Sequence, residues 1–338
     1  MTMDFELDET QREIARLADQ VLAREPDEAW KELARSGLLG LAVPAEQGGD
    51  GLGLLDVAVV LTGVGRHAAN VPALATLATG VLPVAQWGDA ALHRGLLPAV
   101  GAGEAILTAA IREPGDPFPV RPATRVVDGA VTGTKVGVPY AAQAAAILVA
   151  ASLGGNDPAT GVVLVDPSDS RVTLTRTHTV AGEPEYTVRL DDAPVTATLA
   201  VRSVRDLYRL AIAGACAVAD GVLAGALSLT SSHVATREQF GRKLAEFQAV
   251  SQQIADVYIT ARIVHLTTLT AIWRLAAGMD ADDDLGTATW WIAEEAGNAV
   301  MIAHHLHGGI GVDNSYPLPR YSALIADITR FLGGASVH

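Results

Sequence analysis

Arg237-Glu238-Gln239-Phe240-Gly241-Arg242-Lys243-Leu244-Ala245-Glu246-Phe247-Gln248 crowds guanidinium, amide and aromatic groups into one short run. An arginine fork pairs with phosphate, and a phenyl ring lies well against a heterocycle. The run therefore suits an anionic, partly flat ligand. It also suits a plain helix connection with a solvated arginine and a core phenylalanine, and residue chemistry alone favours that second reading. Three histidines form another group: His304, His305 and His307. His304 and His307 share a helix face, but no carboxylate nearby completes a metal set, so packing or a cofactor contact is expected of them. Asp282-Asp283-Asp284 lacks the alternating ligands of a calcium loop and suits a solvated helix start, where the dipole favours anions. Gly48-Gly49-Asp50-Gly51-Leu52-Gly53 has the glycines of a phosphate cradle but does not join a strand to a helix, and reads as a turn. Cys216, the one cysteine, stands in an alanine-rich helical stretch without a basic neighbour, as a buried and inert thiol would.

These groups need elements to hold them. The Arg237 run separates two helical patterns. Ala211–Val234 is rich in Ala, Leu and Val, while Ile254, Val257, Tyr258, Ala261, Val264, Leu266, Leu269 and Trp273 recur mostly at steps of three or four. Gly241 permits the turn between them. Residues 1–104 read as helical: Asp8 and Gln11 have capping-box spacing, and Ile14, Leu17, Ala18 and Val21 make one apolar face. Further helices are expected at Asp27–Ser36, Leu54–Val64, Pro72–Leu82 and Ala90–Val100. Residues 105–200 change to short apolar or alternating runs at Ile106–Ile111, Arg125–Val131, Gly161–Val165, Arg171–Arg176 and Tyr186–Leu190. Asp128-Gly129 supplies a strong hairpin signal. A compact antiparallel β-domain is expected there, and residues 201–338 return to helix. The fold class is α+β, mainly α, and a chain of this length divides into two or three domains.

Composition narrows the function. The chain has 338 residues, 49% of them hydrophobic, with a net charge of −14, enough to bury a large core. That acidity argues against a nucleic-acid partner, which requires a basic face. A single cysteine suits a reducing compartment. No basic-then-apolar leader opens the chain, and no long uncharged apolar stretch is evident. A cytoplasmic protein without a membrane span is expected.

Arg-x-Gln-Phe-Gly from Arg237, Phe247-Gln248 and Ile254-Ala255-Asp256 together resemble the C-terminal domain of the acyl-CoA dehydrogenases, FAD enzymes that oxidise acyl-CoA thioesters. Gly37-Leu38-Leu39-Gly40-Leu41, Val43-Pro44 and the Gly48–Gly53 run resemble the N-terminal domain of that family. His307-Gly308-Gly309-Ile310-Gly311 resembles its late glycine motif. The resemblance implies an N-terminal helical domain (1–104), a middle antiparallel β-domain (105–200) and a C-terminal four-helix bundle (201–338) that serves oligomerisation. In the family, the Arg-x-Gln-Phe segment reaches across a subunit interface to the ADP half of FAD. Carried over, this places Arg237 on pyrophosphate with Gln239, Phe240, Leu244 and Phe247 lining that half. Gly308 and Gly309 would allow close approach, and His305 stands where many relatives have glutamine.

Other family features are missing. The reaction needs a carboxylate to take the proton alpha to the thioester carbonyl. The late Tyr-Glu-Gly-Thr-like segment reads Phe331-Leu332-Gly333-Gly334-Ala335-Ser336, and the early position falls at Ala211, among Tyr208, Arg209, Leu210 and Ile212. Neither holds a carboxylate. After Ile111-Arg112-Glu113-Pro114-Gly115 the serine turn that serves flavin is replaced by Asp116-Pro117-Phe118-Pro119. Val136-Gly137-Val138-Pro139 replaces the Trp-Ile-Thr wall, and Pro139 offers neither hydroxyl nor N–H. The chain is therefore similar to the short subunit of the two-chain heterotetrameric acyl-CoA dehydrogenases of actinobacterial steroid side-chain degradation, acting on a propanoyl-type side chain. Arg121–Thr124, Gly133–Val138 and His304–Gly309 carry that likeness. The resemblance implies FAD shared with a longer homologous subunit that supplies the glutamate, an acyl-CoA substrate and an electron-transfer flavoprotein as acceptor. A lone homotetrameric enzyme with a relocated base such as Glu113, and a non-catalytic acyl-CoA-binding or scaffold protein, remain open.

Overall fold

The computed structural model describes residues 6–24, 26–154, 159–201 and 203–334. α1 (Glu9–Leu22) opens with the expected capping box: Asp8 accepts the Gln11 N–H at 2.8 Å, and Gln11 Oε1 accepts the Asp8 N–H at 3.3 Å. α2 (Pro26–Arg35) and α3 (Leu54–Arg66) follow. The Gly48–Gly53 run between them is a turn. A Cβ on Gly49 would stand 2.2 Å from the Val43 carbonyl oxygen, so its glycine serves packing. A π-helical stretch at Leu74–Val81 runs straight into α4 (Leu82–Trp87), and Asp89 caps α5 (Ala90–Gly101) through the N–H groups of Ala91 and Leu92.

The sheet comprises β1 (Ile106–Ala110), β2 (Arg125–Val127), β3 (Ala130–Pro139), β4 (Ala144–Leu153), β5 (Ala159–Val165), β6 (Val172–His178), β7 (Pro184–Pro194) and β8 (Ala197–Thr198). Its order is β6-β7-β3-β2-β4-β5-β8, with β1 beside β4. Asp128 (φ 49°) and Gly129 (φ 79°) make the tight β2–β3 turn that the dipeptide predicts. Pairing is antiparallel except at β4, which runs parallel to both β1 and β2. β4 is nearly all buried, so its run Ala144-Ala145-Ala146-Ile147-Leu148-Val149-Ala150-Ala151 shows no alternation; sequence patterning did not anticipate it.

Helices return with α6 (Val204–Thr236), α7 (Gln248–Ala276), α8 (Asp282–Trp291), α9 (Gly297–His307) and α10 (Leu318–Phe331). A π-helical turn at Ile292–Ala296 fuses α8 and α9 into one rod, so α6, α7, α8–α9 and α10 form a four-helix bundle. α6 bears on the expected lack of a membrane span. It is long and apolar enough to cross a membrane, with a mean hydropathy of 1.9 in its most apolar window, interrupted only by Asp220. Yet 83% of that window is buried within the fold, and Asp220 pairs with His265 at 3.0 Å, so α6 is the core rod of the bundle. α3 crosses α6 backbone against backbone: a Cβ on Gly65 would lie 1.9 Å from the Val218 oxygen, and one on Gly221 1.9 Å from the Thr62 oxygen. Cys216 is fully buried on α6 beside Thr289, and burial pushes its thiol up to about 12. The aspartates opening α8 are ion-paired as well as solvated. Asp282 receives Arg209 at 2.7 and 2.8 Å, and Asp284 receives Arg274 at 2.9 Å.

Candidate functional site

The connection after α6 is a β-hairpin. The Arg237 N–H closes α6 on the His233 oxygen at 2.9 Å, then β9 (Glu238–Gln239) pairs antiparallel with β10 (Arg242–Lys243). Phe240 (φ 56°) and Gly241 (φ 77°) form its two-residue loop. Glycine adopts this left-handed conformation freely, whereas a phenylalanine held there is strained, a cost that clusters at functional sites. Phe240 is 91% exposed, which removes the reading of it as a core residue. It stands edge-on to Phe247 at 6.3 Å, and the Arg242 guanidinium caps the other ring at 3.9 Å. The Leu244 N–H bonds the Arg237 oxygen at 2.9 Å and folds the segment back on itself. Arg237 and Gln239 are exposed, while Leu244 and Phe247 are partly buried beneath them.

The late glycine motif lies at the same end of the bundle. His307 ends α9 and is buried; its ring stacks on His233 at 4.4 Å and 22°, one helical turn before Arg237. His307 Nδ1 lies 2.8 Å from the Ala303 oxygen and so carries the proton, and Tyr316 closes over the ring at 5.3 Å. Burial lowers the pKa of both imidazoles, and at His233 the charges of His307 and Arg237 lower it further. His305, Gly308 and Gly309 are exposed beyond the stack, and Gly308 adopts φ 63°. His304 bonds Ser322 at 3.1 Å. Sequence reasoning overlooked His233; its place four residues before Arg237, on the same helix face, was the available signal.

On the far side of α9 and α10 these rods meet the sheet at a cleft of about 800 Å³, bordered by Arg112, Asp116, Val136, Val300, Ile325 and Arg330. Of the run expected to replace the flavin wall, Val136 borders this cleft, while Gly137 and Pro139 line the neighbouring cavity. Gly137 (φ 64°) faces Arg112, whose Nη1 would lie 3.2 Å from a Cβ at that position. Arg330 grips Glu185 at 3.2 and 2.6 Å. Glu113 is not poised to take a proton: it accepts the N–H groups of Ala123 (2.7 Å) and Thr124 (2.9 Å) and the Lys135 ammonium (2.9 Å). Burial would raise its pKa, but the bonds from Thr124 and the charge of Lys135 outweigh that and hold it low. Burial lowers the pKa of Lys135, with Glu113 offsetting part of the shift.

The two halves of a flavin dinucleotide fit these regions differently. The hairpin offers cation, amide and ring outward, as a group reaching toward an anionic ligand outside this chain's own fold would. The cleft departs from the flavin pocket that the resemblance implies, because Val136 and the Arg112 guanidinium border it in place of a Trp-Ile-Thr wall. Ala211 is wholly buried in α6, and the Tyr208 hydroxyl is committed to the Pro119 oxygen at 3.0 Å. Of the late segment, Gly333 and Gly334 border the cleft, and Ala335 and Ser336 lie outside the described residues.

Comparison with known proteins accords with this geometry. The model of the acyl-CoA dehydrogenase N-terminal domain matches residues 8–104, and that of the C-terminal domain matches residues 205–336. Acyl-CoA dehydrogenase FadE28 of Mycobacterium tuberculosis is 44% identical over 99% of this chain and 96% of its own length. A chain of the Tcur3481-Tcur3483 steroid ACAD G363A variant superposes with a TM-score of 0.89 at 35% identity, covering 97% of this chain and 95% of that one. A chain of the ChsE4-ChsE5 complex from Mycobacterium tuberculosis does so at 0.88 and 32%, covering 99% and 96%. With two domain models matched and this degree of identity along nearly its whole length, the chain belongs to the acyl-CoA dehydrogenase family of oxidoreductases.

Proposed function

We propose that this chain is the short, base-lacking subunit of a heteromeric acyl-CoA dehydrogenase that introduces the alpha,beta double bond into a propanoyl-type steroid side-chain thioester. The observation that carries the proposal is a contrast within one chain. The Arg237–Phe247 hairpin is exposed with its cation, amide and ring outward, while the sheet side of the cleft carries Val136 and the Arg112 guanidinium in place of the flavin wall that the resemblance implies. The heteromeric steroid ACAD and ChsE4-ChsE5 relatives support the same assignment.

A flavin held at the partner's site would supply the acceptor for the beta hydride, and a glutamate of that longer homologous subunit would remove the alpha proton. This chain's residues bind and orient. Arg237 pairs with the pyrophosphate, Gln239 and Phe240 flank the ADP half, and Leu244 and Phe247 support them from beneath. His305, Gly308 and Gly309 border the same region. The division into 1–104, 105–200 and 201–338 assigns these contacts to the last unit, with assembly as its second task. The holoenzyme is a heterotetramer with two copies of each chain, working in the cytoplasm and passing electrons to an electron-transfer flavoprotein. Glu113 does not serve as a relocated base, because its oxygens are already engaged by three donors.

Flavin absorbance and mass, measured for this chain alone and co-expressed with the longer homologue, test the proposal. The expected result is a colourless chain alone and one FAD per pair of chains in the complex. Arg237→Ala should weaken flavin retention by about 1.5–3 kcal/mol, the worth of a charge-assisted hydrogen bond. A yellow chain alone would refute the assignment. Turnover of a fused-ring acyl-CoA should exceed that of a short-chain one, since a degenerate second site leaves room for bulk.

A further inference from the structure

The cleft bordered by Arg112 has a chemistry of its own. Among the described residues no hydrogen-bond acceptor or carboxylate pairs with the Arg112 side chain, and its Nε is wholly buried without a partner. The neighbouring charges are committed elsewhere: Glu113 to Lys135, and Glu185 and Asp327 to Arg330. Asp116, at the rim, accepts the Phe118 N–H at 3.1 Å. Arg112 is partly buried, and Glu185, the carboxylate beside it, is shared with Arg330, whose like charge opposes it; a guanidinium so incompletely compensated is costly, and a bound anion reduces that cost. Gly137 leaves room beside the guanidinium, since a Cβ there would stand 3.2 Å from Arg112 Nη1. The same cleft is lined by an apolar set from the π-helical turn, α9 and α10: Ala293, Gly297, Val300, Met301, Ile325 and Ala326, with Met301 63% exposed.

We propose that this cleft is a second binding site, distinct from the hairpin, for a carboxylate carried on a bulky apolar body. The guanidinium takes the carboxylate through its fork of N–H donors. The apolar set takes the body, and about 800 Å³ lies within the usual range for small-molecule sites. A single uncommitted cation beside Asp116 disfavours di- or polyphosphates, which need several cations. The inference rests on the reading that no flavin ring occupies this cleft.

Calorimetric titration of the full chain, and of its complex with the partner subunit, tests it with three probes: cholate below its micellar concentration, methyl cholate, and inorganic phosphate. Saturable cholate binding is expected, about tenfold or more tighter than methyl cholate and phosphate. Arg112→Gln should abolish that preference for the acid over the ester. Met301→Asp, which leaves the guanidinium in place, should weaken cholate by a similar factor. Without ligand, Arg112→Gln should melt no lower than the wild type, because it removes an incompletely compensated charge; that result separates lost binding from lost folding. Equal binding of acid and ester, or cholate binding unchanged in Arg112→Gln, overturns the site. Phosphate bound as tightly as cholate assigns the cleft to a simple oxyanion and overturns the apolar-body part. Flavin absorbance of the same sample separates the two proposals. A yellow chain alone sinks the subunit assignment, whereas a colourless chain with no Arg112-dependent cholate binding sinks only this one.

Discussion

Lys135 and Glu113 form a buried ion pair that joins β3 to the end of β1, and breaking one half of such a pair strands the other charge. Lys135→Met should cost about 3–5 kcal/mol in urea unfolding, and the double variant with Glu113→Gln should recover most of it. Glu183 makes a pH-dependent contribution. It is half-buried, accepts the Tyr140 hydroxyl at 3.4 Å, and burial raises its pKa to about 7, with Asp327 and Glu185 adding to the rise. The folded chain therefore holds a proton that the unfolded chain releases near pH 4.5. The associated stability is present below that pH and is lost as pH rises through about 7. Glu183→Gln should flatten this slope and leave the variant more stable at pH 8, by on the order of 2 kcal/mol. These two features were illegible in the sequence because each joins residues from separate strands or loops. The grouping of Arg237, Gln239, Phe240, Leu244 and Phe247 at one place was legible because they fall in one short run. The left-handed backbone at Phe240 was not, since nothing about a phenylalanine announces it. Phe240→Gly should relieve that strain and stabilise the isolated chain by about 1 kcal/mol, while weakening assembly with the partner.

At the scale of elements, local chemistry predicted ends better than interiors. The Asp8–Gln11 box, the Asp128-Gly129 turn and the acidic start of α8 are each settled by a few adjacent atoms, and each formed as read. β4 escaped because a strand buried on both faces loses its alternation. The hairpin was read as a helix-head turn because two-residue strands leave almost no pattern. The α3–α6 crossing was also hidden: Gly65 and Gly221 look like poor helix residues until the other helix's backbone lies against them. Gly221→Ala should cost about 3 kcal/mol or more through overpacking, seen as a lower urea midpoint with an unchanged slope.

Across the whole molecule, the resemblance carried the fold class correctly, because motifs from both ends of the chain agreed with one helix–sheet–helix order. Mean hydropathy was the weaker guide, since α6 is apolar enough on average to span a membrane, whereas Asp220 interrupts its run and 83% of the window is buried in the fold. Phe240, Tyr258, Ile259 and Val312 all stand more than half exposed, apolar surface that suits a chain completed by neighbours. The lone cysteine has a practical consequence. Cys216 sits at the centre of the core rod with its thiol held protonated, so a thiol-reactive dye should ignore the native chain and react only after global opening. A second cysteine placed on the exposed Arg237–Phe247 hairpin would then be the one fast-labelling position. Its protection on mixing with a partner would map the contact, without any need to remove the native cysteine.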